Sequence, residues 1–170
     1  MGKIHVNPVD IEREIPSDRF LVSKTDLKGI IKYANTTFIE ISGYSEEELI
    51  GKNHNIVRHP DMPRSVFKLL WDTIQRGEEF WGYVKNLAKD GYYYWVFAHV
   101  TPSFDTSGSK IIGYHSDRRK PKKEAVEVIS EIYREMKKAE ETGGLQAGLE
   151  VLENVLKLEG KDYAEFIFTL

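Results

Sequence analysis

Residues 80–118 read FWGYVKNLAKDGYYYWVFAHVTPSFDTSGSKIIGYHSDR, and this stretch decides the fold. Three segments in it, Phe80 to Leu87, Tyr92 to Pro102 and Lys110 to Arg118, are rich in aromatic and β-branched residues. Such residues suit the pleated, half-buried surface of a strand. Lys89-Asp90-Gly91 and Asp105-Thr106-Ser107-Gly108 separate the segments, and Asp-Gly and Ser-Gly pairs mark tight turns. The reading is a three-stranded antiparallel meander. Upstream, Phe20 to Lys24 and Ile30 to Ala34 flank the turn Thr25-Asp26-Leu27-Lys28-Gly29, which reads as a hairpin. Closing all five strands into one sheet, with the intervening helices on one face, gives an α+β domain.

The helices are signalled by caps and spacing. Asn35 caps a helix carrying Phe38, Ile39 and Ile41, and Gly43 ends it. Ser45 followed by Glu48 forms a capping box for a single turn. Lys52 to Pro63 is a polar connection with two prolines and two histidines. From Pro63 to Arg76, Val66, Phe67, Leu70, Trp71 and Ile74 fall at helical spacing. A charged linker around Pro121 leads to two further stripes, Ala125, Ile129, Ile132, Met136, Ala139 and then Leu145, Leu149, Leu152, Leu156. Thr142-Gly143-Gly144 breaks them into helices of about 122–141 and 145–159, and a short terminal segment follows Asp162. The expected organisation is a leader over residues 1–18, a domain over 19–119 and a helical extension over 120–170. The leader's apolar residues, Ile4, Val6, Val9, Ile11 and Ile15, suit a neighbouring surface.

Composition removes several chemistries. The 170 residues carry 24 Lys+Arg against 27 Asp+Glu, a net charge of −3, without the basic face a nucleic-acid binder advertises. Arg118-Arg119-Lys120 with Lys122-Lys123 reads as a solvated linker. No apolar run approaches the roughly 20 residues that span a bilayer, and no secretory signal stands at Met1 to Phe20, so the expected location is the cytoplasm. The chain has no cysteine. Disulfides, thiolate-held metals, thiol nucleophiles and flavin–cysteine adducts are thereby excluded. His54 and His59 are five apart in a proline loop, a poor metal spacing, and no hydrolase, nucleotide-loop or metalloprotease motif is present.

One further segment is specific: His54-Asn55-Ile56-Val57-Arg58-His59-Pro60-Asp61-Met62-Pro63. Around it stand Thr25-Asp26-Leu27, Ala34-Asn35-Thr36-Thr37-Phe38, Ser42-Gly43-Tyr44, Glu48-Leu49-Ile50-Gly51, Val84-Lys85-Asn86, Asp90-Gly91 and Tyr94-Trp95-Val96. Over Phe20 to Arg119 the chain resembles the PAS domain of bacterial aerotaxis receptors. The resemblance implies a PAS fold that binds FAD non-covalently and senses redox state or oxygen, a signalling protein and not an enzyme. The absence of an anchor and a long signalling coil makes the chain similar to the separate PAS subunit of bipartite energy-taxis systems. The implied partner is a chemoreceptor-type protein, with a second copy of the chain as another candidate.

The resemblance directs attention to particular side chains. Arg58 and His59 could meet the pyrophosphate or adenine side of FAD, since a guanidinium offers paired donors to phosphate. Asp61 could order their loop. His54 and Asn55 could contact the ribityl or adenine part, or simply cap the segment. Trp71 divides between core and flavin stacking. Asn86 offers both a donor and an acceptor to the flavin edge. Asn35 is explained by capping alone, with a second, cofactor-facing role as the alternative. Trp81 is the last candidate: before Gly82 the receptors carry Trp-Ser where this chain has Phe80-Trp81. Two other readings stay open. One is a haem-binding gas sensor using His99 or His115, with His99 inward if Trp95 and Phe97 point inward. The other is a cofactor-free interaction module.

Overall fold

The computed structural model describes residues 5–170, so Ile4 of the leader lies outside the described residues. Strands β1 (Leu21–Thr25), β2 (Ile31–Ala34), β3 (Phe80–Leu87), β4 (Tyr93–Phe104) and β5 (Ile111–Arg119) form one antiparallel sheet in the order β2-β1-β5-β4-β3. The chain thus places the first hairpin beside the last strand and leaves β2 and β3 at the edges. Helices α1 (Thr36–Ser42), α2 (Glu46–Leu49) and α3 (Arg64–Gln75), with a 3-10 turn at His54–Val57, fill the crossover between β2 and β3. Asn35 holds the corner: its Oδ1 accepts from Phe38 N of α1 and from Val22 N of β1, and its Nδ2 donates to Phe20 O. The capping box at Ser45 and Glu48 is present, and Gly43 ends α1 at φ 76, where a side chain would be strained.

After β5, α4 (Lys123–Glu159) runs as two limbs, because Gly144 has φ 71 and ψ −163 inside it. The break lies within the Thr142-Gly143-Gly144 triplet. Ala125, Ile129, Tyr133 and Met136 of the first limb are buried, and Tyr133 Oη donates to Tyr83 O of β3 at 2.6 Å. Gly148 and Leu152 are buried on the second limb. α5 (Tyr163–Thr169), capped by Asp162, buries Phe166 and Ile167.

The leader is pinned along β4: Arg13 N donates to Tyr93 O, Tyr93 N to Ile11 O and Val9 N to Gly91 O. Ile15 is buried with the core.

The register assigns the two faces of the sheet. Lys85 pairs with Trp95, Tyr83 with Phe97 and Trp81 with His99, so these six share one face. There Trp95 meets Tyr133 of α4, while Trp81 and Phe97 meet Phe168 of α5. Trp95, Phe97 and His99 therefore point away from α3. The inward expectation for His99 is corrected: both faces of β4 are covered, so both carry large apolar residues, and alternation alone does not say which is which. Asn86, Val84, Ala98 and Val100 occupy the opposite face, toward α3.

Candidate functional site

A cavity of about 360 Å³ lies between α3 and the sheet. Phe67, Leu70, Trp71 and Ile74 of α3 form one wall; Val84, Ala98 and Val100 form the apolar floor. The polar groups gather on the sheet: Asn86 from β3, Ser23 and Thr25 from β1, Ser116 and Arg118 from β5. Lys28, Gly29, Asn53 and Asn55 border the remaining side. Trp71 stands edge-on to Tyr114 and close over Gly29, where a Cβ would lie 3.2 Å from its ring. Gly29 also has φ 82, so both its backbone and its neighbour demand glycine.

Arg118 is the centre of the polar end. It is 3 % exposed, yet forms no ion pair among the described residues. Its Nη1 donates to Ser23 Oγ at 2.9 Å and Ser116 Oγ at 3.0 Å, and lies 3.0 Å from His54 Nε2. Ser23 Oγ lies 2.8 Å from the same Nε2, so an unprotonated Nε2 can accept from the hydroxyl or from the guanidinium. Burial and the Arg118 charge push the His54 pKa down to about 3, which agrees with that geometry. Burial also lowers Arg118, to about 10, leaving it charged at neutral pH. Its Nε and Nη2 have no hydrogen-bond partner among the described residues. A buried cation with unused donors costs several kcal/mol unless something compensates it. The Phe38 ring, 4.5 Å away, offers only its quadrupole.

Arg58 lines the same cavity from the loop before α3. Its guanidinium sits 3.6 Å from the centroid of Phe67, and its backbone bridges to Asn86. The loop and the strand bearing Asn86 are thus joined where both meet the cavity.

The structure brings Arg58, Asn86, Trp71, His54 and Asn55 to the cavity and leaves four other candidates outside its lining. His59 is buried against Tyr93, its Nδ1 accepting from Asp61 N at 3.0 Å. Burial and Lys85 push it down to about 4. Asp61 is bound by Lys85 Nζ at 2.8 Å; burial raises its pKa, but Lys85 outweighs that and the net shift is downward. Asp61 thus ties the loop to β3 through Lys85. Asn35 is spent on capping and on β1. Trp81 stacks on His99, 3.7 Å between centroids, on the far face of the sheet. His99 lies 3.5 Å from both Glu79 and Asp117, and the ring of His115 lies 4.0 Å from Asp117.

Sequence reasoning missed Arg118, which is the end of β5 and buried, not part of a solvated linker. Tyr114, Ser116 and Arg118 alternate along one strand, a period-two signal that the adjoining Arg119-Lys120 run obscures.

An antiparallel sheet and a crossover of short helices, enclosing an apolar slot bordered by polar groups, define an α+β module built around a cavity. A profile of the PAS fold matches residues 31–115, and the chain belongs to that family, with a PAS domain of the aerotaxis-receptor type. It is 39% identical over 137 residues to the aerotaxis receptor of Escherichia coli, covering 81% of this chain and 27% of that protein. It is 31% identical over 87 residues to the nitrogen fixation regulatory protein of Klebsiella pneumoniae, covering 51% of this chain and 18% of that one. The chain therefore spans about a quarter or less of the length of these relatives. The dark structure of the blue-light photoreceptor Aureochrome1 LOV superposes with a TM-score of 0.57 at 24% identity, over 65% of this chain and 82% of that one. No helix among the described residues is long and apolar enough to cross a membrane.

Proposed function

We propose that the cavity binds FAD without a covalent bond, and that the chain is a redox or oxygen sensor for energy taxis, signalling to a chemoreceptor-type partner. The observation that carries this reading is the buried Arg118, its Nε and Nη2 unused, lining an apolar slot that also takes the amide of Asn86. An isoalloxazine is flat and apolar across its face and has carbonyl and ring-nitrogen acceptors and an N–H along one edge. Trp71, Phe67 and Leu70 would hold the face. Asn86, with donor and acceptor on one amide, would read the edge, and Arg118 would satisfy its donors on the edge carbonyls. The 39% identity to an aerotaxis receptor supports the taxis role.

Bound flavin would supply reversible electron uptake. The protein's part would be to report it: Asn86 would turn its amide to present donor or acceptor as the flavin edge requires. The backbone bridge from Asn86 to Arg58 carries that change to the loop and α3. This is signalling without turnover. Haem is the weaker reading: His99 faces away from the cavity, and His115, which borders it, sits on the sheet face of His99 with its ring 4.0 Å from Asp117.

The test is a visible spectrum of freshly purified protein, with the chromophore released by heat and identified. Yellow protein releasing FAD, bleached on reduction, is the expected result. A Soret band would favour haem. Colourless protein that takes up no FAD would overturn the reading and leave an interaction module.

A further inference from the structure

The first turn of α3 has no cap of its own, because Pro63 precedes it. Its donors are met by a side chain 75 residues away. Glu140 of α4 accepts from Arg64 N at 3.0 Å, from Ser65 N at 2.9 Å and from Ser65 Oγ at 2.5 Å. The Glu140 side chain is only 7% exposed, and a carboxylate at a helix N-terminus is also favoured by the helix dipole. The second limb of α4 converges on the same spot. A Cβ on Gly148 would stand 2.5 Å from Ser65 Oγ and 2.8 Å from Glu140 Cγ, so the limb packs there by virtue of glycine. Between these two contacts lies Gly144, the non-helical joint. Ser65 is therefore gripped from both sides of a hinge, and α3 itself carries the cavity wall of Phe67, Leu70 and Trp71.

We propose that Glu140 is a positioning residue that couples occupancy of the cavity to the packing of the second limb, residues 145–159, making that limb the element that reports the ligand. The proposal rests on the reading that the cavity holds a flavin. A ligand that supports the α3 wall holds the Ser65 donors on Glu140 and keeps the limb folded down. A wall that loosens releases the carboxylate, and the limb swings at Gly144. Coupling of this kind is reciprocal, so an intact limb strengthens ligand binding by the factor the ligand strengthens the limb.

The test is hydrogen exchange of peptides covering residues 145–159 in the full chain, for wild type and Glu140→Gln, with and without FAD. Glu140→Gln loses the charge and leaves one accepting oxygen where two served three donors. Trp71→Ala, measured without FAD, perturbs the wall independently of any ligand. In wild type, FAD should slow exchange of the limb and Trp71→Ala should speed it, each by roughly fivefold, the lower end of ordinary coupling. With Glu140→Gln the limb should exchange fast and respond to neither, and FAD affinity should fall by the factor seen in exchange. A wild-type limb indifferent to both perturbations, or a Gln variant that still responds, overturns the proposal. If no FAD binds, its missing absorbance shows that the flavin reading has failed, and the Trp71→Ala comparison still decides the coupling.

Discussion

Acid should destabilise the protein through His54. An ordinary imidazole titrates near 6.5, whereas burial and Arg118 depress His54 to about 3. The unfolded chain therefore takes up a proton as the pH falls below about 6.5, and the folded chain does not until about 3. The stabilisation is complete above pH 6.5 and drains away as the pH falls toward 3. At pH 5 the gap is about 1.5 units, and at about 1.4 kcal/mol per unit the loss is about 2 kcal/mol. His59, pushed down to about 4, and His115, lowered by burial, contribute in the same direction. The perturbation must therefore be differential. His54→Gln keeps an acceptor for the Arg118 guanidinium and has nothing to titrate. Urea unfolding followed by far-UV circular dichroism at pH 7 and pH 5 measures both proteins. The wild type should lose about 2 kcal/mol more than the variant between the two pH values. Equal losses would refute the argument, because they would mean that His54 accepts its proton in the folded protein as readily as in the unfolded one.

Four substitutions separate the cavity from the scaffold. Arg118→Met should leave urea stability unchanged or raise it by about 1–3 kcal/mol, because a buried cation without a carboxylate is costly, while abolishing FAD uptake. Loss of stability with FAD uptake intact would reverse that assignment. Asn86→Ala should weaken FAD binding by about tenfold in a fluorescence titration, the scale of one hydrogen bond to a buried polar edge. Trp81→Ala removes the stack with His99 and the contact with Phe168, and should cost about 1–3 kcal/mol while leaving flavin absorbance per protein unchanged. Ile129→Ala, at a fully buried position on the first limb of α4, should cost about 2–4 kcal/mol by cavity formation, read as a lower denaturation midpoint.

The fold was legible where local chemistry had one solution. Asn35 has a helix to cap and a strand to hold, and does both. The Asp90-Gly91 turn, with Gly91 at φ 93, admits little else. Strand ends moved by a residue or two, as ends do. The two stripes of α4 were visible, but not what they pack on. That depends on which face of β4 is inward, and a strand covered on both sides shows no polar face. Trp95 and Phe97 look like cavity residues for the same reason that they are not: α4 and α5 bury them on the other side. The same ambiguity led alternation to turn His99 inward.

The candidate site was legible in its contiguous part, and at Trp71 and Asn86, which a helical stripe and the family resemblance supplied. His54, Asn55 and Arg58 lie within five residues of one another, so a motif captures them. The polar group around Arg118 is built from Ser23 and Ser116, strand residues joined only by the neighbouring of β1 and β5 in the sheet. No local pattern brings position 23 beside position 118; the pairing Leu21 to Arg118 and Ser23 to Ser116 does. Arg118 had the strongest physical reason to be noticed and the weakest sequence signal. Its charge is unremarkable in a basic run and becomes costly only when β1 and Phe38 enclose it. A strand that buries an arginine without an ion pair one residue before its end gives up stability that leucine would have kept. On the flavin reading, what enters the cavity would meet the free Nε and Nη2 donors, so the stability and the FAD affinity of Arg118→Met should move apart.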